Sequence, residues 1–249
     1  MKSITLNSKR HGNFTSSEIV KLTTNGRAKD SFGKPFYTYI AEKNMERRLG
    51  RSIDDEVTAR PLSWGTLLED IVFTILGTEY KLCSSETVDH PKIEFWKGTP
   101  DAEKFDKGKT ACDIKCPSTL RSFCALIDAF AEGGMDQVRA DHKDGDKYYW
   151  QLISHACLLD AKWGELIVYC PYGEELDHIR ECAGNFDGKD QYRFFWIHSA
   201  QDEELPHLIK GGFYKNLNKL RFEIPQEDKD FLTNRVIEAG KELVEFHKK

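Results

Sequence analysis

A Pro-Asp dipeptide at Pro100–Asp101 is followed twelve residues later by Asp113-Ile114-Lys115, inside the run Ala-Cys-Asp-Ile-Lys-Cys. The run has strand character. Side chains alternate faces along a strand, so Asp113 and Lys115 share one face while Cys112 and Ile114 take the other. Two carboxylates and one ammonium can then converge at the end of a small sheet. Carboxylate oxygens hold divalent metals, and a neighbouring cation can attend an attacking water. Asp101, Asp113 and Lys115 are thus candidates for metal-assisted hydrolysis.

An acid-x-Lys triple alone carries little information in a chain with 31% charged residues. Six occur: Glu79/Lys81, Asp113/Lys115, Asp141/Lys143, Asp160/Lys162, Asp187/Lys189 and Glu227/Lys229. Asp113/Lys115 is the one set in an apolar, strand-like context, and it follows the only Pro-Asp dipeptide of the chain. That pairing makes it the informative triple.

The elements that would position these residues can be read around them. Thr15 ahead of Glu18 reads as a capping box at a helix start. Helix N-termini also attract phosphate, and Arg10 stands nearby, although plain capping is the simpler account. Helices are expected over Phe36–Leu49 and over a stretch in which Trp64, Leu67, Leu68, Ile71, Val72, Ile75 and Leu76 keep the helical period. Glu69 and Asp70 flank that buried face at about 120° and about 140° from its centre, so periodicity barely separates them as an additional ligand.

Residues 79–97 read as two strands around a turn at Val88-Asp89-His90-Pro91. A helix over Ser118–Ala131, a mobile surface segment rich in Gly, Asp and Lys over Glu132–Lys147, a helix from Tyr148 to Leu159 and a buried strand Ile167–Cys170 follow. Glu174–Cys182 reads as helix, Gln191–His198 as the C-terminal strand, and Gln226–His247 as a terminal helix.

Bulk properties set outer bounds. At 249 residues the chain suits one large domain with ample core. No apolar run approaches the roughly 18 residues a membrane helix needs, and MKSITLNSKR has no apolar signal region. The expectation is a soluble, cytoplasmic protein without membrane association. The seven cysteines are odd in number and lack a Cys-x-x-Cys spacing, which reads as reduced thiols rather than a disulfide framework or zinc site. A net charge of −5 does not advertise nucleic-acid binding, yet a local basic track can still neutralise phosphates. Arg47 and Arg48 read as a solvated charged face.

Several motifs together resemble the lambda-exonuclease-like viral recombination nucleases of the Pro-Asp…(Asp/Glu)-x-Lys superfamily. Ser63-Trp64-Gly65-Thr66-Leu67-Leu68-Glu69 is similar to the family's Trp-Gly…Glu helix, and Thr99-Pro100-Asp101 with Asp113-Ile114-Lys115-Cys116-Pro117 to its central motif. Tyr148-Tyr149-Trp150-Gln151 is similar to its Tyr-x-x-Gln helix. The likeness covers about residues 8–175. Two departures are visible: Asp113 stands where the phage enzyme has Glu, and the stretches Glu132–Lys147 and Gly184–Pro206 differ.

The resemblance implies an α/β, restriction-endonuclease-like core, a central mixed β-sheet flanked by helices, in a single nuclease domain over residues 1–249. Residues 1–60 would form the DNA-end side, about 61–175 the catalytic core, and 185–249 the C-terminal strand and helix. It selects Glu69 over Asp70, adds Gln151 as a residue that positions Lys115 or the nucleophile, and assigns Arg10 and Ser17 to a 5′-phosphate pocket. Asp101, Asp113 and the Ile114 carbonyl would hold Mg²⁺, or Mn²⁺ in its place, with Glu69 supporting a second ion.

The implied activity is 5′→3′ digestion of one strand at double-stranded DNA ends, leaving 3′ overhangs for a single-strand annealing protein. A homotrimer, and the bacterial host cytoplasm if phage-encoded, belong to the same picture. An endonuclease or repair nuclease using the same centre is the alternative, and a non-catalytic DNA-end binder a further one. Cys182 is the last cysteine, so no C-terminal cysteine cluster exists and no iron–sulfur cluster is expected.

Overall fold

The run that carries Asp113 and Lys115 is the middle strand of a five-stranded mixed sheet. The computed structural model describes residues 9–29, 31–53, 59–83, 86–106, 108–186 and 191–246. In chain order the elements are β1 (Phe14–Thr15), a 3-10 helix (Ser16–Thr23), α1 (Lys34–Leu49), α2 (Arg60–Ile75), β2 (Tyr80–Leu82), β3 (Val88–Asp89), β4 (Trp96–Gly98), β5 (Ala102–Phe105) and β6 (Lys109–Lys115). There follow α3 (Leu120–Asp141), α4 (Gly145–Leu159), β7 (Trp163–Tyr169), α5 (Leu176–Gly184), α6 (Phe195–Ser199), β8 (Leu217–Glu223) and α7 (Gln226–Gly240). Among these residues no helix is long and apolar enough to cross a membrane.

The large sheet runs β2-β5-β6-β7-β8, and a smaller one runs β1-β4-β3. Only β6 and β7 are parallel within the large sheet. A parallel pair needs a crossover connection, and α3 with α4 supplies it. Both central strands are covered on two sides, which explains their near-continuous apolar sequences. Ala111, Leu166, Val168 and Leu220 pack with residues of α3, α4 and α7. Cys112, Ile114, Ile167 and Tyr169 pack with residues of α2, α5 and α6. By alternation Asp113 and Lys115 share the face of Ala111, toward α4.

The turn into α4 is closed backbone to backbone. A Cβ at Gly145 would stand 2.0 Å from the Val138 carbonyl oxygen, so only glycine fits where α4 leaves α3. This close approach fixes the helix that faces β6.

The helices expected over 36–49, 64–76 and 148–159 are present, although Ile75 is exposed rather than buried. Several other expectations need correction. Thr15 makes no capping bond, and Ser16–Thr23 is a 3-10 helix. The Thr15 hydroxyl turns instead to Tyr39 Oη (3.3 Å) and Ser17 Oγ (3.4 Å), while Glu18 pairs with Lys21 (2.9 Å) and Lys147 (3.6 Å). Val88–Asp89 is strand β3, so the turn lies beyond it, and the next strand starts at Trp96.

Glu132–Lys147 is largely helical. The Gly133–Gly134 pair only kinks α3, and Met135 and Val138 are buried beyond it. Gln191–His198 is not a strand but a 3-10 turn followed by α6. Phe194 and Ile197, three apart, are buried while Phe195 is 65% exposed, which is helical spacing. The C-terminal strand is Leu217–Glu223. The last helix ends at Gly240, and His247, its expected end, lies outside the described residues. Arg47 is buried, not solvated, whereas Arg48 is exposed.

Candidate active site

The Pro100–Asp101 turn docks on β6 through two bonds. Asp101 N donates to the Cys112 carbonyl (3.2 Å), and Ile114 N donates to Asp101 Oδ2 (2.7 Å). The dipeptide and the triple, separated by β5 and its turn, thus become neighbours. Asp113, 1% exposed, accepts from Gln151 Nε2 at Oδ1 (2.8 Å) and ion-pairs through Oδ2 with Lys115 Nζ (2.6 Å). Gln151 Oε1 lies 3.4 Å from the same ammonium, which also sits 5.3 Å from the Tyr148 ring centroid. One amide from α4 therefore serves both members of the ion pair.

Electrostatics single out this cluster. Burial, the Asp113 charge and then the Glu69 charge hold the Asp101 carboxyl well above the usual carboxylate range. Burial disfavours a charged Lys115, but the Asp113 and Asp101 carboxylates outweigh it and keep the ammonium protonated. Glu69 on α2 is half-buried and close enough to act on both Asp101 and Cys116, whose thiol burial and Glu69 push upward.

Among the described residues no three His, Cys, Asp or Glu side chains form a ready-made metal cage. The donors present suit a different kind of site. Magnesium is held by one or two carboxylates and completed by waters and phosphate oxygens. Asp101 and Asp113 fit that role, because Lys115 alone leaves Asp101 burdened by like charge. The Ile114 carbonyl is next to them in the chain, and Glu69 is the remaining nearby acid.

Arg10 Nη2 donates to Ser17 Oγ (3.1 Å), so the two residues expected at a phosphate are brought together. Their segment is tied to α4 through Ser154, which hydrogen-bonds Ser16 Oγ (2.8 Å) and accepts from Trp96 Nε1 (2.8 Å). Ser154 lies between Gln151 and the buried His155 on the same helix. His155 Nδ1 has no partner. Burial lowers its pKa to about 4, against the pull of Asp113 and with help from Lys115 and Arg10. It stands in the fields of both groups and is neutral near pH 7.

Sequence reasoning missed His155 and Ser154. The signal for His155 was available, since position 155 follows Gln151 by one helical turn. Ser154 carried none, because a single serine in an apolar helix has no distinguishing pattern.

No protein-family model matches the chain, and no curated protein does. Solved structures do match. LHK-Exo in complex with dAMP superposes with a TM-score of 0.57 at 18% identity, over 94% of this chain and 89% of that one. The alkaline exonuclease LHK-Exo from Laribacter hongkongensis gives 0.53 at 18% identity, over 94% and 90%. A phage-related exonuclease from Haemophilus somnus 129PT gives 0.58 at 14% identity, over 96% of each chain. The chain has the fold of the alkaline exonucleases. The likeness is architectural, and it spans nearly the whole length of both partners. In this alkaline-exonuclease fold the Asp101–Asp113–Lys115–Gln151 cluster lies where the Pro100–Asp101 turn, β6 and α4 meet.

Proposed function

We propose that the chain is a metal-dependent 5′→3′ exonuclease that digests one strand of linear double-stranded DNA and leaves a 3′ overhang. The observation that carries this reading is the convergence of Asp101, Asp113, Lys115 and Gln151 from three elements onto one buried cluster. The fold shared with exonucleases supports it, and so does the contact between Arg10 and Ser17.

Asp101, Asp113 and the Ile114 carbonyl would hold Mg²⁺ or Mn²⁺, with Glu69 near a second ion. When bound, such an ion supplies Lewis acidity at the phosphate and makes a water more acidic. The chain's own residues do the rest. Lys115 orients the attacking water and offsets negative charge as the phosphorus becomes five-coordinate. Gln151 fixes the ammonium relative to Asp113. Arg10 binds the terminal 5′-phosphate with charge-assisted hydrogen bonds, and Ser17 braces the guanidinium. Gripping an end rather than an internal phosphate favours exonucleolytic cutting.

The test is Mg²⁺-dependent digestion of linear duplexes with 5′-phosphate or 5′-hydroxyl ends, with a closed circle as control. Rapid loss of the phosphorylated linear duplex with the circle spared is the expected result. Cutting of the circle assigns the centre to an endonuclease, and no cleavage with any divalent metal overturns the enzymatic reading.

A further inference from the structure

Beyond Gly240 the chain leaves α7 and runs back across α1. Val244 N donates to Asn44 Oδ1 (2.8 Å), and Asn44 Nδ2 donates to the Glu242 carbonyl (2.9 Å). Arg47 Nη1 donates to the Val244 carbonyl (3.0 Å), and its guanidinium carbon lies 4.4 Å from the Phe246 ring centroid. The C-terminal segment is thus strapped to one face of α1.

The same arginine reaches the N-terminal turn. Arg47 Nε donates to the Gly12 carbonyl (2.7 Å), and Gly12 N donates to Glu46 Oε2 (2.6 Å). Both polar groups of Gly12 are therefore held by adjacent residues of α1. The Glu46 carboxylate is itself buried and paired with Lys43 Nζ (2.9 Å). Phe246 closes the arrangement by meeting His11 edge-on at 6.2 Å. Gly12 has φ +69°, and a Cβ there would stand 2.8–2.9 Å from Arg47 Cγ and the Phe246 ring. The strap lies directly on the glycine backbone.

What this network immobilises is the turn carrying Arg10. Asn13 N donates to the Arg10 carbonyl (3.3 Å), and Asn13 Nδ2 donates to the carbonyls of Lys9 (3.0 Å) and His11 (3.2 Å). Burying an arginine and a glutamate is costly unless each is paired. Here the pairing is spent on two backbone groups two residues from Arg10. An arginine anchored in this way loses less freedom when it captures an anion, which strengthens binding without any new contact.

We infer that Glu46, Arg47 and the strap Glu242–Phe246 are a positioning device for Arg10 that sets the selectivity for 5′-phosphorylated ends without touching DNA. The inference rests on Arg10 and Ser17 forming the phosphate pocket.

The experiment measures binding of fluorescent duplexes bearing 5′-phosphate or 5′-hydroxyl ends, in a Lys115→Ala background with Mg²⁺, so that no turnover intervenes. The readout is the ratio of the two dissociation constants. Wild-type pocket residues should give a clear preference for phosphate, and Arg10→Ala should abolish it. Truncation after Gly240 and Arg47→Ala should each reduce the ratio about tenfold, the scale of one charge-assisted hydrogen bond. Phe246→Ala should reduce it in part, and Arg47→Lys should restore part of what Arg47→Ala loses.

Thermal melting identifies which variants are folded, and Phe246→Ala removes only a partly exposed ring. A preserved ratio in folded strap variants, with Arg10→Ala losing it, overturns the positioning device and leaves the pocket standing. Equal weakening of both ends reports general damage and also overturns it. No phosphate preference even with Arg10 present removes the pocket, and the device with it.

Discussion

Gln151 donates from α4 to Asp113 Oδ1 on β6 at 2.8 Å, across 38 residues of sequence. Its other amide atom faces Lys115 Nζ at 3.4 Å. A side chain that is donor on one end and acceptor on the other is what an ion pair of carboxylate and ammonium requires. Gln151→Ala should lower kcat roughly 10- to 100-fold, as losses of ligand-orienting partners do, with a smaller effect on KM. Gln151→Glu should be at least as damaging, because it adds another carboxylate beside Asp113, in a cluster where Asp101 already feels Asp113 and Glu69. Steady-state kinetics on a phosphorylated linear duplex checks both. A Gln151→Ala enzyme with wild-type kcat would show that the amide does not position Lys115.

Lys115→Ala should all but abolish cleavage, with a loss of about 10²–10³-fold, the worth of one preorganised donor at the developing charge. DNA-end affinity should survive, because Arg10 and Ser17 lie on a separate segment. Gel-based nuclease assays paired with fluorescence anisotropy separate the two effects. Digestion near the wild-type rate would sink the assignment.

The geometry of the candidate site was legible where neighbours are local in sequence. Asp113 and Lys115 share a face because strands alternate, and β6 is the strand expected from its apolar run. Helix α2 followed its hydrophobic period from Trp64 to Val72, and lost it at exposed Ile75. The errors came where the decisive contacts are distant. Thr15 has the chemistry of a cap, but Tyr39 on α1 competes for its hydroxyl. Gly133–Gly134 reads as a loop signal, yet burial of Met135 and Val138 carries the helix past it. Leu217–Glu223 has only one buried residue, Leu220, so its alternation was too weak to mark the edge strand. Arg47 looked solvated because nothing local reveals that Gly12 and Val244 claim its donors.

Asp101→Asn should separate stability from function. Burial and the charges of Asp113 and Glu69 disfavour ionised Asp101, so the neutral amide should stabilise the metal-free protein. The same substitution removes one of the proposed metal ligands. Mg²⁺ should therefore raise the melting temperature of the wild type, by linkage to the folded state, and leave the variant unmoved. Denaturant melts in EDTA and thermal melts with Mg²⁺ test the two halves. A variant less stable than wild type in EDTA, or one equally stabilised by Mg²⁺, contradicts the assignment of Asp101 as a strained ligand.

His155 should make stability depend on pH. Its folded pKa lies at about 4, below the ordinary 6.5, because burial penalises the imidazolium. Between those values the unfolded chain binds a proton that the folded chain excludes. Stability should accordingly fall as pH drops from about 6.5 toward 4, by about 3 kcal/mol for this residue at full effect. His90 and His142 are also depressed by burial and add smaller contributions in the same direction. The difference between wild type and His155→Gln isolates the one residue of interest. Urea unfolding at several pH values should give a shallower slope for His155→Gln below pH 6.5, with the curves running parallel above it. Identical slopes across the acid range would mean that His155 gains its proton in the folded state as readily as in the unfolded one.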